Sequence, residues 1–176
     1  FLAYEQYRNE SEGWAPYSEW WVNGNAWRPY YSQIYHYADN ADAFWCPTAD
    51  PVTQWDPNRT LWWNEFVSYG ANNWGWGDND LQGCLSVVYG EPRTYTNMAD
   101  VETPSDLIVF GDSTPNGDWD ASLDPAPTDP NEHPSDRHIG GANIVFFDGR
   151  TQKLARTFLM DRARASHLWR RNGLPR

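Results

Sequence analysis

A chain of 176 residues supports one hydrophobic core, and its formal charge of −11 argues against nucleic acid as a partner. Apolar residues make up 40% and aromatics 16%, with 12 Trp and 10 Tyr, so large flat side chains must supply much of the buried area. The two cysteines, Cys46 and Cys84, are too few for a disulfide scaffold and show no metal-ligand spacing.

In chain order, residues 1 to about 10 have the composition of a helix that stops before Gly13 and Pro16. Phe1-Leu2-Ala3-Tyr4 reads as the end of a longer helix, although no run reaches the roughly 18 apolar residues of a membrane span and no signal peptide is recognisable. Residues 13–100, rich in Trp, Tyr, Asn, Gly and Pro, carry no long periodic segment and predict short elements joined by turns. Within them, a helix is expected near 28–38, with Pro29 tolerated in its first turn, and a strand over Leu85–Tyr89.

The last third carries stronger signals. Leu107–Phe110 is a short apolar run between Pro104 and Gly111, as a buried strand requires. Residues 115–136 hold five prolines among aspartates and glutamates, a composition that predicts an exposed loop. Strands over 142–147 and 150–155 flank Asp148-Gly149, which predicts a hairpin whose two turn residues both take positive φ. A basic helix over 157–171 follows, with Phe158, Ala165, Leu168 and Trp169 as its docking stripe and Asn172-Gly173 as its end. From Arg150 onward eight basic residues face one acid, so the tail is +7 and the rest −18. That asymmetry suits a tail lying on an acidic surface, its own or a neighbouring subunit's.

Four landmarks occur in order along the chain. They are the helix end Tyr4–Gly13, Trp45-Cys46-Pro47, Ser68-Tyr69-Gly70-Ala71-Asn72, and His138 followed after nine residues by Asp148-Gly149. Together they resemble the bacterial prepilin-type proteins that carry an H-X9-DG segment, relatives of type IV pilins and of the pseudopilins of type II secretion. The resemblance implies a single α+β, pilin-like domain over 1–176. An N-terminal helix end (1–12), truncated here, would pack on an antiparallel β-sheet (101–156), with an aromatic-rich region of long loops (13–100) and a C-terminal basic helix (157–171). It implies a structural, non-enzymatic subunit of an extracellular or cell-surface filament, or of a periplasmic pseudopilus. Such a subunit contacts copies of itself through the N-terminal helix and the basic tail, and the membrane only through the helix that would precede Phe1.

His138 and Asp148 lie at opposite ends of a six-residue strand, about 20 Å at ~3.3 Å per residue, too far for a catalytic dyad. The motif residues His138, Gly140, Gly141, Asn143, Asp148 and Gly149 therefore read as structural: His138 pins the incoming loop, the glycines permit a tight turn, and Asp148-Gly149 reverses the chain. No cofactor is required. Calcium is the ligand that suits the chain best, because Asp112, Asp118, Asp120 and Asp124 place oxygens in one acidic stretch. Major pseudopilins resemble it in holding calcium near the C-terminal sheet. Cys46 and Cys84 either form one disulfide or remain thiols. Two rival functions stand beside the filament subunit. A secreted carbohydrate-binding module would stack surface glycans on Trp20-Trp21, Trp62-Trp63, Trp74 and Trp76, and a glycoside-active enzyme would need two carboxylates that the sequence does not single out.

Overall fold

The computed structural model describes residues 1–19, 30–49, 56, 67–74, 83–84, 86–88, 96–115, 120–125 and 130–173. Helix α1 (Leu2–Glu10) opens the chain, and Ser11 N–H closes its last turn on the Tyr7 carbonyl at 2.9 Å. Its inward residue is Tyr4, fully buried. After strand β1 (Tyr17–Glu19), helix α2 (Tyr30–Ala38) packs beside α1. The Tyr7 and Tyr37 rings meet edge to face at 6.3 Å, and the Tyr37 hydroxyl donates to Glu10 at 2.7 Å. The expected helix near 28–38 is therefore present, while residues 28 and 29 lie outside the described residues.

Strands β2 (Tyr69–Asn72), β3 (Ser86–Val88), β4 (Ile108–Asp112), β5 (Ser122–Leu123), β6 (Gly141–Phe146) and β7 (Thr151–Ala155) follow in chain order. β1 and β3 form a two-stranded parallel pair, and the other five make one sheet in the order β5-β2-β4-β6-β7. The fold class is α+β, as expected, but the sheet is mixed: β2 and β5 run parallel, whereas its other neighbouring strands are antiparallel. β2 was legible only as a motif, because Gly70 and Asn72 depress strand propensity and its partners are distant in sequence.

Both faces of the sheet are covered at its centre, so β4 is buried along its whole length, while the edge strand β7 is mostly exposed. Leu107, Val109 and Phe110 join Tyr4, Tyr30, Tyr31 and Ile34 on the α1/α2 side. Ile108, with Ile144 and Phe146 of β6, faces α3 (Arg156–Leu159) and α4 (Arg162–Trp169) through Leu159, Leu168 and Trp169. The register shift between Ile108 and Phe110 lets Val109 and Phe110 share one side despite being adjacent. Tyr4 meets Phe110 edge to face at 5.3 Å, which anchors the N-terminal helix to the central strand.

Three expectations are corrected. The helix expected over 157–171 is two helices, because Asp161 stops the first and caps the second, accepting from Arg164 N–H at 3.3 Å. The stretch 115–136 is not simply an exposed loop: Leu123 sits in the core, and β5 hydrogen-bonds to β2 alongside buried Asp120, Asp124, Glu132 and Ser135. The hairpin is not a two-residue turn with both residues at positive φ. Gly149, at φ +84°, is the left-handed residue of a three-residue loop, where Gly149 N–H donates to Phe146 O and Phe146 N–H to Arg150 O, both at 2.9 Å.

Candidate functional site

Asp112, the last residue of β4, is fully buried, and a buried carboxylate must be surrounded by donors. Arg137 NH2 donates to its Oδ1 at 2.6 Å and the backbone N–H of Asn143 to its Oδ2 at 2.6 Å. Nε2 of His138 lies 3.3 Å from the same Oδ2. Arg137 also donates to the carbonyls of Ser68, at 2.5 Å, and Ser113. One guanidinium thus ties β4 to the segment entering β2, a use of the planar fork that lysine could not reproduce.

Cys46 comes to this point from the other side. Its backbone N–H donates to the Ser68 hydroxyl, which itself donates to Phe44 O at 3.4 Å. Its sulfur lies 3.1 Å from Thr48 Oγ1 and 3.5 Å from His138 Nε2. Burial raises the Cys46 thiol, but the Thr48 hydroxyl and backbone N–H and the Arg137 guanidinium outweigh it and bring the thiol down to about 7. The neighbouring Tyr69 phenol is pushed up to about 12 by burial and by the negative charges of Cys46 and Asp112. The donor atoms of Cys46, Asp112 and His138 all lie within 4.8 Å of one another.

The turn before β6 presents Arg137 and His138. Gly140 N–H donates to Asp136 O at 2.9 Å and His138 N–H to Gly141 O at 3.2 Å, while Ile139 and Gly140 both take positive φ. At Gly141 a side chain would come within 2.5 Å of the Leu154 carbonyl on β7, so the hairpin closes only on glycine there. Asp148, at the far end of β6, accepts from Arg150 N–H at 3.0 Å and takes no part in the cluster. The His138 ring lies against Cys46 and Asp112, two partners that the sequence did not indicate.

Beside the cluster, buried Asn72 donates from Nδ2 to Ile108 O at 2.8 Å and Trp169 O at 2.9 Å, and its Oδ1 accepts from Trp74 N–H at 3.0 Å. The Cys-Pro, Ser-Tyr-Gly-x-Asn and His landmarks are therefore parts of one hydrogen-bonded unit centred on β2 and β4.

Several expected sites are corrected. Asp112 is held by Arg137, Asn143 and His138 rather than gathered with Asp120 and Asp124; Asp118 lies outside the described residues. Cys46 and Cys84 are both free thiols, and the Cys84 sulfur donates to Ile108 O at 3.1 Å. Burial pushes the Cys84 thiol far up. Trp74 is buried under the Arg162 guanidinium at 4.4 Å, so it is not part of an exposed stacking surface. Trp20, Trp21, Trp62, Trp63 and Trp76 lie outside the described residues. The sequence reading missed Arg137, whose only linear signal is its place beside His138, and it did not bring Cys46 and Asp112 together.

Chemically, the cluster is not a nucleophile, base and orienter relay. Such a relay engages both ring nitrogens of histidine, one toward the nucleophile and the other toward the carboxylate. Here the thiol and the carboxylate address the same Nε2. No protein-family model, curated protein or solved structure matches this chain.

Proposed function

We propose that this domain is a structural subunit of a type IV pilus-like or pseudopilus-like bacterial filament, exposed outside the cytoplasmic membrane and without catalytic activity of its own. The observation that carries the reading is the seat of α1. Tyr4 is buried against Phe110 of the central strand, while Phe1 lies beside Gly149 at the hairpin turn. A helix continued upstream of Phe1 would run out past the hairpin edge, with Leu2, 79% exposed, on its outer side. That geometry suits a globular head carried on an assembling helix, whose apolar burial would supply most of the association energy. The hydrogen-bonded linkage of Cys46, Ser68 and His138, with both Cys46 and Asp112 on one histidine nitrogen, supports a structural role over catalysis. Arg164 on α4, its side chain 71% exposed, offers a basic contact to the acidic body of a neighbouring subunit.

The test is to raise antibodies to this domain and follow it in the source bacterium by shearing, envelope fractionation, crosslinking and immunogold electron microscopy. Labelled filaments, or crosslinked ladders of the envelope-bound protein, are the expected result. Recovery solely as a monomer in the culture medium would overturn the filament reading and return the glycan-binding alternative to first place.

A further inference from the structure

We propose that Cys46, Asp112 and His138 bind a zinc ion, with three protein ligands and a fourth position left for an exogenous one. The ligand set mixes a thiolate, an imidazole and a carboxylate, all of which this borderline-soft cation accepts. Bond lengths of about 2.3 Å to sulfur and about 2.0–2.1 Å to nitrogen and oxygen, at tetrahedral angles, place sulfur and nitrogen about 3.6 Å apart and nitrogen and oxygen about 3.3 Å apart. The observed separations are 3.5 Å for Cys46 Sγ to His138 Nε2 and 3.3 Å for His138 Nε2 to Asp112 Oδ2.

The shared nitrogen adds a second argument. A neutral imidazole nitrogen carries either one proton or one lone pair, so a single Nε2 offers one well-directed hydrogen bond to two neighbours, Cys46 Sγ and Asp112 Oδ2. A cation between the three atoms satisfies all of them together. The outer contacts also suit a metal site: Arg137 holds Oδ1 of Asp112 and Asn143 N–H aligns Oδ2, fixing the carboxylate as second-layer partners do. The nearby Arg137 charge weakens the site relative to one with two thiolates, and His138, 21% exposed, leaves it open to exchange with solvent. Bound zinc would staple three segments distant in sequence: the turn at Cys46, the end of β4 and the turn before β6. This inference rests on the cluster alone and holds or fails independently of filament assembly.

The decisive experiment titrates the reduced, metal-free domain with Co2+ and then with Zn2+. We expect one Co2+ per chain, with thiolate-to-metal charge-transfer absorption and tetrahedral visible bands, displaced stoichiometrically by Zn2+. Cys46→Ser should abolish the charge-transfer band, and His138→Gln should weaken binding at least about tenfold. Cys84→Ser should leave both unchanged. Circular dichroism establishes that each variant is folded; if Cys46→Ser is not, His138→Gln, altering a partly exposed ring, carries the test. No thiolate band in the wild-type domain, or binding that survives in the folded variants, overturns the assignment.

Discussion

Asn72 and Cys84 show how much single buried groups carry in this domain. The Asn72 amide satisfies two carbonyls from opposite parts of the chain, Ile108 on β4 and Trp169 at the end of α4, and receives Trp74 N–H. Asn72→Ala leaves these groups without that partner and should cost about 2–4 kcal/mol. Asn72→Asp should cost more, since it sets a buried anion against two carbonyl oxygens; urea midpoints of the two variants check both. Cys84 governs the alkaline side. Burial raises its thiol above the ordinary 9.0, so the folded state keeps the proton that the unfolded chain releases. Its contribution is complete below about pH 9 and is lost as pH rises above that, at up to about 1.4 kcal/mol per pH unit. Cys46, brought down to about 7, acts in the opposite direction, and its contribution is complete by about pH 9. Tyr4, also raised by burial, adds a further loss above its ordinary 10.0. Melting temperature should therefore fall from about pH 9, and in Cys84→Ser the fall should begin about one unit later.

Elements were legible where local chemistry decides them. The hairpin, β4 and the two N-terminal helices follow from apolar runs, Gly and Pro punctuation and helical composition. The form of the hairpin loop was not legible, because Asp148-Gly149 suits both a two-residue turn and a three-residue loop with one left-handed glycine. Pairing across the whole sheet selects the second. Gly149→Ala should destabilise by about 1–2 kcal/mol in chemical denaturation, since φ is +84° and the added methyl meets the Phe1 ring at 3.2 Å. Composition misled at 115–136, where Leu123 beside β2 outweighs its acidic and proline-rich neighbours. The break at Asp161 was readable in principle, as an N-cap residue within a helical pattern.

At the scale of the whole molecule, the centre of one five-stranded sheet is buried between an N-terminal and a C-terminal helical layer, and the cluster sits where β4 ends beneath the turn before β6. The same layering seats α1 on the sheet, from which the filament reading proceeds. Local composition and turn chemistry by themselves determined the presence of the hairpin, the short apolar strand β4 and helical segments near both ends of the chain, because those depend on residues a few positions apart. Only the tertiary structure decided that Cys46, Asp112, Arg137 and His138 meet, that β5 runs parallel to β2, and that the two thiols stay apart. Those outcomes depend on strand order and on which buried polar groups find one another, and spacing along the chain carries neither.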